Sequence, residues 1–176
     1  MWLVHHKKIL TWENIQKRGV MGPSICLLCE TQEETMEHIL NNCTYNNWLW
    51  DAFNIIFQKT DRDKGSIINT LNKWRGNFSE NEILNLAWTL TPSFIIWNVW
   101  KERNKIIFKD KKITPLGLME LILKQIKETV STTMHSHPLN PPTALELRTL
   151  KQLGMHEIIL QGLSKKERVL ERENYF

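Results

Sequence analysis

Hydrophobic positions recur at helical spacing along most of the chain, broken by proline, glycine and polar clusters, and they predict a run of short helices. Residues 2–8 read as the end of one helix, and Thr11 is placed to cap a second from Trp12 to Arg18, with Trp12, Ile15 and Gln16 inward and Gly19 as the left-handed stop. Glu33 to Glu37 read as the first turn of a short helix carrying His38, and Thr44 as the cap of a helix from Tyr45 to Gln58. In that helix Trp48, Ala52, Ile55 and Ile56 approximate one face, widened by Leu49, Phe53 and Phe57. A charged link, Thr60 to Gly65, precedes a helix from Ile67 to Trp74 capped by Ser66 and ended by Gly76.

Farther along, Ser79 with Glu82 has the form of a capping box, and Thr91-Pro92 reads as a fresh start that breaks the following apolar stretch into a separate helix from Pro92 to Lys109. There Trp97, Trp100, Asn104, Ile107 and Phe108 share a stripe, which at this spacing is more often core than a platform for stacking bases. Thr114-Pro115 opens a helix to about Ser131 with Leu118, Leu121, Ile122, Ile126 and Val130 inward. Residues 135–142 form a proline-rich link containing His135 and His137, too few for a second metal site. A last helix is expected from Thr143 to Leu153, then a polar tail with Leu160, Leu163, Val169 and Leu170. The expected class is mainly α, short helices around a Cys3His zinc-stapled loop followed by a helical extension. Its divisions are 1–58 for the zinc-binding part, 59–132 for an extension packed on it, 133–142 for the linker and 143–176 for a helical or partly disordered tail.

The three cysteines of the chain change this picture most. Cys26 and Cys29 form a Cys-x-x-Cys pair, and His38 and Cys43 follow, giving C-x2-C-x8-H-x4-C. Three thiols and an imidazole at this spacing suit one tetrahedral zinc ion, since the tight turn aims two sulfurs at a point to which a short helix returns the other two ligands. Four ligands, three of them anionic, close the shell and quench Lewis acidity, so a structural Zn2+ fits better than a hydrolytic one. A redox Cys-x-x-Cys belongs beside a strand in a βαβ pattern, which is absent here, and a Cys-His nucleophile leaves two thiols unexplained.

These residues resemble a known family. Trp2-Leu3-Val4, the run from Lys8 through Thr11-Trp12-Glu13-Asn14 to Gly19, the metal motif with Glu33-Glu34-Thr35 and His38-Ile39-Leu40, and Leu49-Trp50 are similar to the zinc-binding domain that follows the reverse transcriptase of plant non-long-terminal-repeat retrotransposons. Ile96-Trp97-Asn98-Val99-Trp100-Lys101-Glu102-Arg103-Asn104 through Phe108 resembles the Trp-Lys-x-Arg-Asn helix that follows it in such reading frames. The resemblance implies a zinc-stapled fold, a retroelement origin with truncation at the amino terminus, and a place beside a reverse transcriptase core gripping RNA or DNA.

Charge decides where a polyanion would bind. The net formal charge is +4, but residues 1–25 carry +3, residues 26–100 carry −4 and residues 101–127 carry +5. The zinc loop therefore lies in the acidic part, and three thiolates around a divalent ion add a further negative charge. Candidate nucleic-acid contacts fall instead on Lys17 and Arg18 and on Lys101, Arg103, Lys105 and Lys109. An interaction scaffold without nucleic-acid binding is the alternative, and the eight tryptophans would furnish its surface. No apolar run approaches the ~20 residues of a membrane span, and free thiols kept for metal fit a reducing compartment, so the expectation is an intracellular, non-secreted protein with no membrane or small-molecule partner.

Overall fold

The computed structural model describes residues 1–59, 63–134, 141–155 and 157–158, and its regular structure is helical. In order these are α1 (Trp2–His5), α2 (Trp12–Gln16), a π-helical turn (His38–Asn42), α3 (Thr44–Ile56), α4 (Ile67–Lys73), α5 (Glu82–Lys109), α6 (Pro115–Met134) and α7 (Ala144–Gln152). Among the described residues the β structure amounts to one isolated antiparallel bridge, Ile25 with Glu33. No described helix is long and apolar enough to cross a membrane. The tail leucines and valine beyond residue 158, the His135 and His137 link and Thr60 to Arg62 lie outside the described residues.

Helices α5 and α6 are the long elements, joined by residues 110–114. Asp110 takes the left-handed conformation at the end of α5, and Thr114 Oγ1 accepts from Gly117 N–H to cap α6, so the chain reverses within five residues. The Asn98 and Gln125 amides bond across the pair at 2.8 Å, equidistant from the reversal as an antiparallel hairpin requires. Leu118, Ile122, Ile126 and Val130 of α6 are buried, whereas Leu121 is exposed, contrary to the expected stripe. One hydrophobic cluster runs from Cys26, Leu40 and Trp50 in the amino-terminal part through Ile95 and Val99 to Ile122 and Leu150. At its far end Trp74 stacks on Trp88 at 3.9 Å between centroids, with Phe57 edge-on to both.

Several expectations about helix ends are corrected. Thr11 precedes α2, but its hydroxyl makes no capping bond; the Glu34 carboxylate accepts from Trp12 N–H instead, at 2.8 Å. Helix α2 stops at Gln16, which is exposed. Ser79 is not the cap before α5: Asn81 Oδ1 accepts from Leu84 N–H, while Asn85 Oδ1 takes the N–H groups of Phe78 and Ser79.

Pro92 does not interrupt α5, which is continuous from Glu82 to Lys109. Loss of one backbone bond and the ring's crowding of the preceding turn cost about 3 kcal/mol. Burial of Ala87, Trp88, Ile95, Ile96 and Val99 on both sides of the proline offsets that cost. The face also differs from the expected one, since Ile95, Ile96, Val99, Glu102 and Arg103 are buried while Trp97, Ile107 and Phe108 face solvent. In α3, likewise, Leu49, Trp50, Phe53 and Ile56 are buried while Trp48 and Ile55 are exposed.

Candidate metal centre

The two halves of the cluster are built by different local devices. Cys26 N–H donates to Gln32 O and Glu30 N–H to Cys26 O, and Glu30 takes a positive φ of 59°, so Cys26 to Gln32 form a tight loop closed by the Ile25–Glu33 bridge. The turn directs backbone N–H groups at sulfur: those of Leu28 and Cys29 at Cys26, and that of Thr31 at Cys29. The Thr31 hydroxyl adds a bond to Cys29 Sγ at 3.2 Å. Such donors stabilise thiolates and fix their orientation toward a cation.

The helical half departs from the expected first turn at Glu33. Glu33 is in the bridge, and the turn begins only after Thr35, whose hydroxyl accepts from His38 N–H at 3.0 Å. From His38 to Asn42 the turn is π-helical, closed by Cys43 N–H donating to His38 O at 2.6 Å. In an α-helix, residues five apart point about 140° from each other. The wider i→i+5 turn brings His38 and Cys43 toward one side, which explains how an x4 spacing can serve a single centre. The carbonyls this geometry leaves are taken by side chains of α3: Asn46 donates to Ile39 O and Leu40 O, Trp50 Nε1 to Leu40 O at 2.9 Å, and Asn47 to Asn42 O.

Sγ of Cys26, Cys29 and Cys43 and a ring nitrogen of His38 all lie within 4.8 Å of one another. Cys26 and Cys43 sulfurs are 3.9 Å apart, close to the ~3.8 Å edge of a tetrahedron with zinc–sulfur bonds of about 2.3 Å. Cys29 Sγ and His38 Nε2 are 3.2 Å apart, within hydrogen-bond reach. Cys26, Cys43 and His38 are buried and Cys29 is half-buried. The donor set, its burial and its spread fit a zinc ion. Without a cation, Cys26 is drawn down to about 6 chiefly by the hydrogen bond from Cys43, whose own thiol is pushed far up by that bond and by burial. Burial raises Cys29, but the Thr31 hydroxyl and N–H and the His38 ring outweigh it and leave it lowered. The site thus favours thiolate at Cys26 and Cys29, while Cys43 favours the thiol.

Two acidic residues bind this centre to the extension. Glu34, 3% exposed, lies between Cys29 and His38 and accepts a two-pronged bond from Arg103 of α5, Nε to Oε2 at 3.1 Å and Nη2 to Oε1. Glu37 accepts from Ile67 N–H at the start of α4 at 2.7 Å. From the α5–α6 connection, Lys112 donates to Leu27 O and pairs with Glu30 at 3.0 Å, placing a cation beside the thiolate cluster. Sequence reasoning missed Glu34, Thr31 and Lys112. Thr31, two residues past the second thiol, had a readable local signal, whereas Glu34 and Lys112 owe their roles to partners 69 and 82 residues away.

The six cationic candidates are dispersed. Lys17 pairs with Glu13 at 2.9 Å and Arg18 is exposed at the end of α2. Arg103 is 6% exposed and held by Glu34, so it offers nothing to a polyanion at the surface. Lys105 is half-buried beside Glu102, and Lys101 and Lys109 stand on the solvent side of α5.

Residues 1–50 match the family of zinc-binding domains described as zinc-binding in reverse transcriptase. Over 112 residues, 61% of its length, the chain is 28% identical to a protein of Arabidopsis thaliana provisionally named a ribonuclease H protein, and the aligned part is 17% of that relative. No solved structure gives a significant match.

Proposed function

We propose, starting from a zinc-binding segment of the reverse transcriptase type at residues 1–50, that this chain is a non-catalytic, retrotransposon-derived module in which one structural zinc ion fastens short helices to a helical extension. Its role is to assist RNA or DNA binding beside a reverse transcriptase core. The observation that carries the reading is the convergence of Cys26, Cys29, His38 and Cys43 within 4.8 Å. Bound there, zinc supplies cross-linking, because four protein donors fill a tetrahedral shell. Around it, the N–H groups of Leu28, Cys29 and Thr31 and the Thr31 hydroxyl point at the sulfurs of Cys26 and Cys29 and favour their thiolate form. The hydrolytic activity in the relative's name is not carried over, since only 17% of that protein is aligned.

Nucleic-acid binding is assigned to Lys17 and Arg18 just past α2 and to Lys101, Lys105 and Lys109 of α5, away from the Cys26–Gln32 loop and its closing bridge, where Glu30 and Glu33 are exposed. Those acidic residues favour the second reading, a zinc-stabilised scaffold for another protein. A salt titration separates the two. Binding to RNA or DNA that weakens steeply between about 50 and 200 mM salt supports the first, and absence of binding at the lower salt supports the scaffold.

A further inference from the structure

The aromatic stripe of α5 faces solvent. Trp97 is 56% and Phe108 80% exposed, and between them Lys101 and Asn104 continue the same face, the four side chains falling within about 60° around the helix. Lys101 Nζ lies over the Trp97 ring at 5.6 Å, so the indole already carries a cation. From Ser93 to Lys109 the exposed charges are the lysines Lys101 and Lys109, with Lys105 half-buried between them; the one acid in the segment, Glu102, is turned inward, accepting from Ile113 N–H and Lys105. This helix face thus sets large flat rings beside lysines. It suits a ligand with negative charge at its backbone and flat apolar faces along its length.

We infer that this stripe is a stacking platform for single-stranded nucleic acid, with Trp97 and Phe108 each taking a base, Lys101 between them an intervening phosphate, and Lys109 at the edge of the face a phosphate beyond Phe108. The inference rests on the nucleic-acid reading above and adds the strand type and the site. The two rings are about 16 Å apart along the helix, the reach of roughly four to five stacked nucleotide steps. A duplex hides its base faces and offers the rings nothing, so the platform discriminates by strandedness and not by sequence.

Fluorescence anisotropy of the full chain with labelled ten-nucleotide single-stranded RNA, single-stranded DNA and the matching duplex tests this. Single strands of both sugars are expected to bind at least about tenfold more tightly than duplex, and Trp97→Ala or Phe108→Ala to weaken single-strand binding by roughly tenfold while leaving the salt slope unchanged. Trp97→Phe, which keeps a ring, should retain most of the affinity. Trp48→Ala, at an exposed tryptophan on α3, should have no effect. Both sites are at the surface, and unchanged melting of the variants checks that folding is intact. Salt-sensitive binding that ignores the aromatic substitutions, prefers duplex or responds equally to Trp48→Ala overturns the platform and leaves the nucleic-acid reading standing. No binding by the unsubstituted chain overturns both, and its concentration-dependent self-association abolished by Trp97→Ala overturns the platform alone.

Discussion

The guanidinium of Arg103 on α5 and the carboxylate of Glu34 in the zinc loop form a buried, two-pronged ion pair that Trp12 N–H completes from α2. Glu34 also bonds through its backbone, its N–H donating to Ser24 O and its carbonyl accepting from Glu13 N–H. One residue thus joins the start of α2, the segment entering the first thiol and the long helix. Removing the arginine leaves a charge stranded away from water. Arg103→Met is expected to cost about 3–5 kcal/mol in urea unfolding, and the double variant with Glu34→Gln to recover part of it. A loss below about 1 kcal/mol would show that the pair does not fasten the two parts.

Gly22 lies against the Trp12 indole, and a Cβ built there would sit 2.7 Å from a ring carbon. Its backbone is not left-handed, so the requirement is for space alone. Gly22→Ala should destabilise by about 1–3 kcal/mol, and combining it with Trp12→Leu should remove much of that increment. Additive effects of the two substitutions would contradict the contact.

The tryptophans of α5 divide into two kinds that a melting experiment can tell apart. Trp88 is buried, stacked on Trp74 and Phe78, and Trp88→Ala should cost about 3–5 kcal/mol. Trp97→Ala should change stability by no more than about 0.5 kcal/mol. Equal losses at both positions would mean that α5 is rotated from the orientation described.

Helix α7 is held by the Thr143–Glu146 capping box, and Glu146 also receives bonds from Ser79 and Asn81 at the start of α5. Burial raises the Glu146 carboxyl, but these donors, Thr143 N–H foremost, outweigh it and hold the group below its ordinary value of 4.5. Because the folded value is the lower one, the contribution is fully present above the ordinary value and is lost as pH falls through the folded value. Acid should therefore loosen α7 below about pH 4.5, and Glu146→Gln should remove that part of the pH dependence. Thr143→Ala should cost about 1 kcal/mol at neutral pH, read by hydrogen exchange of the α7 amides.

The convergence of Cys26, Cys29, His38 and Cys43 was legible because metal geometry constrains spacing within eighteen residues, and Ser66, Thr114 and Gly19 followed from local chemistry of the same reach. Orientation was not, because α5 is apolar on several sides: Ile95, Ile96 and Val99 compete with Trp97, Ile107 and Phe108 for the interior, and periodicity alone cannot choose between them. The choice is made by Glu102 and Arg103, whose buried bonds to Ile113 N–H and Glu34 turn the helix so that Trp97 faces outward. Pro92 misled for a related reason, since tertiary burial on either side outweighs a local penalty. The motif picked out His38 and Cys43, while the π-helical turn between them depends on Asn46, Asn47 and Trp50 of the next helix.

A single ion is held to fasten this fold, and metal content measured alongside helicity examines that most directly. Elemental mass spectrometry of the purified chain should give one zinc per molecule. Cys43→Ser or a strong chelator should remove it with cooperative loss of the helical circular dichroism, since structural zinc contributes on the order of ten kcal/mol, comparable with the net stability of a domain this size. A metal-free chain with full helicity and an unchanged melting temperature would contradict the account.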